Sequence, residues 1–352
     1  MHRAYCLTTI HSPSEEIIAP LISNGGVAYV AGDAATPQAE WRQFAKTHPA
    51  LHFVDDELRN RNLVDLSTEI GSGTYARKNL AFLAALQDGA EEIFELDDDN
   101  RYEGSVRNPR TQARKCLQAS SNLRYRSYQD LEPNEPAVPN IFNIVYRTEQ
   151  LWFRGFPISQ LGSKLDLCEV PLSSLSDVDV ITFAVAGEPD VDAIARLTSP
   201  EYRSHEARFI SRDEFGSPSG SYVVPKDGFL PANTQATLWL NMRKSEFLYH
   251  PHSVSMRFSD ILKMYVCQAS CNLAYGGVAV EQIRNPHNLL GDFLNEVEMH
   301  KSLSELLKTL SGARGASLEE IYRRLFAAGI VSRSECDIAA EFAKLARAFR
   351  EA

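Results

Sequence analysis

The sequence predicts an α/β fold, a sheet-centred domain with a helical extension at its C-terminal end. Three observations carry this expectation. Short apolar runs alternate with amphipathic stretches through the first third of the chain, in the manner of a doubly wound sheet. The run 179–185, Asp-Val-Ile-Thr-Phe-Ala-Val, is almost continuously apolar and suits a strand covered on both faces. Beyond residue 299 only helical patterns remain. A length of 352 residues accommodates one large core with such an appendage.

Taken in order, residues 4–10 read as the first strand, 15–21 as a helix, 27–30 as a strand, 38–44 as a helix and 51–54 as a strand. The segment 71–86 opens with Gly71 and Gly73 and continues as an amphipathic helix. Its Leu80, Leu83 and Leu86 recur at helical spacing, Phe82 broadens the apolar face, and Gly89 ends it. An acidic strand follows. The Pro-, Glu- and Asn-rich stretch 130–140 reads as a loop, 141–146 as a strand, and 152–157 (Trp-Phe-Arg-Gly-Phe-Pro) as a turn. Pro189 opens a short helix over 192–197. Near 254–262 a strand gives way to a helix for which Ser259 or Asp260 is a ready N-cap. In the tail, Leu303, Leu306, Leu307 and Leu310 form one stripe, and Ile338, Phe342, Leu345 and Phe349 mark a second. Ser317 with Glu320 and Ser332 with Glu335 have capping-box spacing. These helices are expected to pack on the main core or on a partner chain, the second being a route to an oligomer.

Composition narrows the function. A net charge of −10 argues against a general nucleic-acid binder. No apolar run is long enough to span a bilayer, and the first residues pass into a strand without a signal-peptide pattern. A cytoplasmic location is therefore expected, peripheral at the inner membrane at most. The six cysteines are scattered, and Cys267 with Cys271 are expected to be buried thiols rather than half of a zinc site. Neither Gly-x-Gly-x-x-Gly after the first strand nor a P-loop is present.

The chemistry concentrates at 91–100, where a short apolar run leads into Asp97, Asp98 and Asp99. Three adjacent carboxylates repel one another and call for a compensating cation. Oxygen-only ligands suit Mg²⁺ or Mn²⁺, commonly together with substrate phosphates. The carboxyl end of a strand is also where open α/β sheets bind ligands. The alternative is a solvated strand-to-turn junction. Arg77 and Lys78 occupy the first turns of the preceding helix, the unfavourable end for its dipole, which a bound anion would explain; ordinary surface cations are the alternative. Downstream, Asp260 either caps its helix or serves the site, and 281–290 gathers Arg284 and His287 in a loop where His287 either faces a ligand or ties down its own backbone. Trp152, Phe156 and Trp239 either stack on a base or sugar or pack internally.

Several blocks together resemble a known group: Tyr75 to Asn79, the Glu-Leu-Asp-Asp-Asp-Asn stretch, the 152–157 turn, 233–239 (Asn-Thr-Gln-Ala-Thr-Leu-Trp), 257–261 (Arg-Phe-Ser-Asp-Ile) and 282–290. In their order over roughly 65–295 they resemble the STELLO-type glycosyltransferase family, as a soluble bacterial relative would. A weaker likeness, mainly in the triple-aspartate and Arg-Gly-Phe-Pro regions, is to the reversibly glycosylated polypeptides that act as UDP-arabinopyranose mutases. The resemblance implies a GT-A-like single mixed-sheet nucleotide-sugar-binding domain over 1–298, with the helical extension at 299–352. It implies a divalent metal, Mn²⁺ or Mg²⁺, held by Asp97 and Asp99, with His287 within reach of it. Strand alternation would then turn Asp98 towards the ribose or sugar hydroxyls, unless a turn intervenes. Arg77, Lys78, Arg257 and Arg284 would hold the nucleotide or diphosphate of a UDP-linked donor. The expected reaction is inverting transfer of the sugar to a glycan or glycoconjugate acceptor, with Asp260 as the base. The alternatives are a nucleotide-sugar mutase, a metal-dependent nucleotidyltransferase or phosphohydrolase, and a non-catalytic scaffold acting through its helical tail.

Overall fold

The computed structural model describes residues 2–23, 25–54, 61–101, 111, 123–128, 136–146, 151–162, 165–169, 178–203, 222–223, 228–282 and 288–351. Within the described residues eleven strands join one mixed sheet. They are β1 (Arg3–Thr9), β2 (Val27–Gly32), β3 (Leu51–Val54), β4 (Glu92–Leu96), β5 (Asn100–Arg101) and β6 (Leu123–Tyr128). The set continues with β7 (Leu165–Glu169), β8 (Val180–Gly187), β9 (Tyr222–Val223), β10 (Ala236–Trp239) and β11 (Leu273–Gln282). Their spatial order is β3-β2-β1-β4-β10-β8-β11-β9-β6-β7, with β5 pairing on β11. The β3-β2-β1-β4 half is parallel and wound by the helices Glu15–Ser23, Gln38–Thr47 and Lys78–Gln87, as the alternation predicts. Antiparallel β10 then makes the sheet mixed. This single mixed sheet with flanking and C-terminal helices is broadly consistent with a GT-A-like architecture.

Period-two alternation sends side chains to two apolar layers. On β1 and β2, Tyr5, Leu7, Ala28 and Val30 join Trp41, Ile18 and Leu21 on one face. Ala4, Cys6, Tyr29 and Ala31 join Leu80, Phe82 and the helix Met256–Gln268 on the other. On β4 the same rule puts Phe94 and Leu96 in the first layer. Glu95 consequently points into the second, where it has no exposed surface.

The helix Lys78–Gln87 ends with Gly89 at φ 79°, accepting the hydrogen-bond pattern of a left-handed cap: Gly89 N donates to Leu86 O at 3.0 Å and Ala90 N to Ala85 O at 3.0 Å. The tail forms the helices Leu289–Ser311, Leu318–Ala327 and Arg333–Glu351. Leu289–Ser311 runs unbroken across residue 298, and its Met299, Leu303 and Leu306 belong to the same apolar layer as the sheet. Ser317 and Ser332 accept from the backbone N–H of Glu320 and Glu335, at 3.3 and 3.2 Å. No described helix is long and apolar enough to cross a membrane.

Two local expectations need correction. Residues 141–146, strand-like in composition, contain the short helix Phe142–Tyr146. Ser255 occupies the N-cap position of Met256–Gln268, with no strand before it, so Asp260 lies inside that helix and does not cap it.

Candidate functional site

Strand register assembles the site. Cys6 pairs with Glu95 and Leu96 with Ala236, so Thr8, Asp97 and Gln235 leave the sheet side by side. Asn100 pairs with Gln282, which brings the end of β11 to the same rim. Together with Arg154, Asp190, Met256, Arg257 and Asp260, these residues and Asp98, Asp99 line a cleft of about 130 Å³. The cleft lies at the carboxyl ends of β1, β4 and β11, where a parallel sheet offers its ligand crevice.

The three aspartates form a turn and do not extend β4. Asp97 N donates to the Asn100 side-chain oxygen at 3.1 Å, and Asn100 N donates back to Asp97 O at 3.2 Å. This turn removes the alternation that would send Asp98 away, and all three carboxylates line the cleft. Lys78 Nζ lies 2.9 Å from Asp97 Oδ1, Thr9 donates to Asp98 at 2.7 Å and the Gln282 amide donates to Asp99 at 2.8 Å. Burial pushes the Asp98 carboxyl up, against the Thr9 hydrogen bond. Carboxylate oxygens are the donor type that hard divalent cations take, and all three aspartates contribute to the lining of this cleft.

Across the cleft, Arg154 is clamped between two carboxylates. Its Nη1 and Nη2 reach Asp260 Oδ1 and Oδ2 at 2.8 and 2.6 Å, and its Nε and Nη2 reach Asp190 Oδ2 at 2.9 and 2.6 Å. Such forked, charge-assisted contacts fix both partners. Burial pushes Asp260 up; Arg154 opposes this, and Asp190 adds to it. Arg154 itself is held well above its ordinary value, because Asp190 and Asp260 outweigh the cost of burial. The turn that carries it needs Gly155, whose φ is 87° and where a Cβ would sit 2.6 Å from Ile261 Cγ2. Arg257 reaches the cleft wall while donating to Glu296, with Nε at 2.7 Å.

Beneath the turn lies a buried charge cluster that sequence reasoning did not find. Glu95 accepts from Lys263 at 2.7 Å and Trp239 Nε1 at 3.1 Å, and lies 3.1 Å from His250 Nε2 and 3.5 Å from Lys78. Burial would raise the Glu95 carboxyl, but Lys263 and Lys78 outweigh it and hold it well below the carboxylate range. Burial lowers Lys263 to about 8, against Glu95, and lowers His250 to about 4, with Lys263 adding to the effect.

Of residues 75–79, Tyr75 lines the cleft, whereas Arg77, Lys78 and Asn79 act below it. Lys78 is fully buried and raised, because Asp97 and Glu95 outweigh desolvation. Arg77 is buried and donates to Gly32 O at 2.9 Å and Ser67 Oγ at 2.6 Å. Neither is among the cleft-lining residues. Near the helix start both cations pair with protein carbonyls, a hydroxyl and carboxylates, and neither is a surface cation. Asn79 braces the chain through paired hydrogen bonds with the His250 backbone, at 2.9 and 2.7 Å. Trp152, Phe156 and Trp239 belong to the apolar core. Arg284 and His287 lie outside the described residues. Cys267 and Cys271 are buried free thiols, as expected.

Asp190 was missed in the sequence, and Gln235 was noticed only within the 233–239 block, without a role of its own. The only signal for Asp190 is its position just past the end of a strong interior strand, after Pro189. Gln235 is buried at the cleft, and its side-chain oxygen has no hydrogen-bond partner. A further group, Asp192, Glu296 and His300, brings three metal-competent ligand atoms within 4.8 Å of one another.

Fold and cleft define an α/β protein with a polar, carboxylate-rich ligand site at the ends of its central strands. The chain is 26% identical over 304 residues to the probable glycosyltransferase STELLO1 of Arabidopsis thaliana, covering 85% of this chain and 37% of that protein. To the probable glycosyltransferase STELLO2 of the same plant it is 24% identical over 305 residues, covering 85% and 38%. No protein-family model matches. The two similarities support a relation at the family level, and the chain spans well under half the length of these curated relatives.

Proposed function

We propose that this protein is a glycosyltransferase with a GT-A-like fold that moves a sugar from a nucleotide-linked donor, expected to be UDP-linked, to a glycan or glycoconjugate acceptor. The observation that carries the reading is the convergence of Asp97, Asp98, Asp99, Arg257 and Asp260, from distant parts of the sequence, on one cleft. The names of the two plant relatives support the reaction class. Asp97 and Asp99 would hold a divalent ion, which neutralises negative charge on a diphosphate leaving group when bound. Asp98, Gln235 and Gln282 present acceptors and donors suited to sugar or ribose hydroxyls. Arg257 supplies positive charge at the cleft wall. Lys78 holds Asp97 from below and is reassigned from ligand contact to support. Asp260, oriented by Arg154, takes the proton of the acceptor hydroxyl, a role its raised affinity for protons favours.

One observation favours a second reading. Both Asp260 oxygens are forked by Arg154, which opposes the effect of burial and already engages both atoms that would take a proton. Release and recapture of the same sugar, as in a mutase, needs no acceptor base. Nucleoside diphosphate release from nucleotide sugars, with and without candidate glycan acceptors, separates these readings. Acceptor-stimulated release that disappears in Asp99→Ala supports transfer. Sugar isomerisation without acceptor supports the mutase, and no turnover of any nucleotide sugar refutes both.

A further inference from the structure

We infer that the protein has a second divalent-cation site, formed by Asp192, Glu296 and His300, that takes a transition ion such as Zn²⁺ or Mn²⁺. None of the three lines the cleft, and the site does not depend on the proposed transfer reaction. Glu296 and His300 lie four residues apart on Leu289–Ser311, so their side chains share one helix face. Asp192 caps the helix Ala193–Thr198, which packs against that face. The carboxylates are already oriented: Asp192 Oδ1 accepts from Ile194 N at 2.9 Å, Glu296 Oε2 from Ala193 N at 2.9 Å, and Glu296 Oε1 from Arg257 Nε at 2.7 Å.

Part of this group is left without a hydrogen bond. Asp192 Oδ2 and both ring nitrogens of His300 are buried without a hydrogen bond. The His300 side chain is 10% exposed and Asp192 has no exposed surface. His300 Nε2 and Asp192 Oδ2 stand 3.2 Å apart as an acid–imidazole pair whose geometry is not that of a hydrogen bond. Two ligand atoms bound side by side to one ion at about 2.0–2.2 Å stand roughly 3 Å apart, which matches this pair. Charge favours a cation as well. Arg154, Arg196 and Arg257 face the carboxylates of Asp190, Asp260, Asp292 and Glu296, with Arg257 paired to Glu296, so with Asp192 the acidic groups outnumber the guanidiniums. One imidazole nitrogen with two carboxylates suits Zn²⁺ or Mn²⁺ better than Mg²⁺ or Ca²⁺, which prefer oxygen alone.

A bound ion would clamp the segment carrying Asp190, which holds Arg154, to the helix carrying Glu296, which holds Arg257. The site would then position one wall of the cleft. The test uses the 352-residue chain carrying Asp97→Asn/Asp99→Asn, in which the cleft's own candidate ligands are disabled. After chelator treatment and dialysis it is titrated with Zn²⁺, Mn²⁺ and Mg²⁺ by calorimetry, with thermal midpoints measured in parallel. The expected result is about one equivalent of Zn²⁺ or Mn²⁺, a raised midpoint on binding and much weaker Mg²⁺ binding. Adding His300→Ala, or His300→Gln should the first fail to fold, lowers affinity at least tenfold, whereas Glu305→Gln on the exposed face of the same helix changes nothing. No binding with His300 intact, or equal affinity with His300 replaced, overturns the site.

Discussion

Glu95 has no exposed surface, yet its carboxylate is kept charged by Lys263, Lys78, His250 and Trp239 around it. His250 illustrates the cost on the other side. Its folded value of about 4 lies below the ordinary 6.5, so the unfolded chain takes up this proton first as pH falls. The contribution to stability is complete above pH 6.5 and is lost between there and pH 4, by about 3 kcal/mol. Urea unfolding across that range should show this decline, with a shallower slope in His250→Asn; an identical slope would remove His250 as its source. Lys78→Met leaves Glu95 and Asp97 without a shared cation and should cost about 3–5 kcal/mol. A change in unfolding free energy below about 1 kcal/mol would contradict its bridging role. At the cleft, Asp99→Ala should abolish metal-dependent donor binding, while Asp260→Asn keeps donor binding and loses transfer. Calorimetry beside a turnover assay distinguishes them, and full transfer by the second variant would release Asp260 from the reaction. The aspartate run was legible because like charges side by side demand an explanation. Glu95 and Asp190 were not, since their partners come from elements far away in sequence.

At the level of elements, apolar periodicity located β1, β2, β3 and β8 and the helices between the early strands, because each buries one face or both. It misread 141–146, where β-branched and aromatic residues form a short helix against Phe153, with Phe142 and Phe153 ring centroids 4.6 Å apart. Strand alternation through Asp97–Asp99 was expected only if no turn intervened, and the Asn100 side chain makes one. The 152–157 turn was legible as a turn, but its purpose required the tertiary contact. Gly155→Ala combines a left-handed backbone with a clash on Ile261 and should destabilise by about 2–4 kcal/mol. The urea midpoint should fall at unchanged m-value, and a midpoint equal to wild type would show that this turn tolerates a side chain.

On the scale of the whole molecule, the tail and the sheet share one apolar layer, and Glu335 from the last helix accepts from His252 N at 3.1 Å and Ser253 N at 2.6 Å. Those residues precede the helix that carries Arg257 and Asp260, so the C-terminal helices brace the cleft from behind. Sequence foresaw the helical stripes and the Ser317 and Ser332 caps but read 289–290 as loop and missed the Asn288 cap; the docking of the tail depends on Tyr249 and Phe342, whose ring centroids lie 5.3 Å apart. The central claim is that the cleft binds a nucleotide sugar with a divalent ion. It is tested most directly by calorimetric titration of UDP-, GDP-, CDP- and dTDP-sugars, each with Mn²⁺ or Mg²⁺ and again with chelator. The account predicts binding of one nucleotide class that disappears with chelator and in Asp97→Asn/Asp99→Asn. Absence of binding under every condition, or binding indifferent to both chelator and the double substitution, would contradict it.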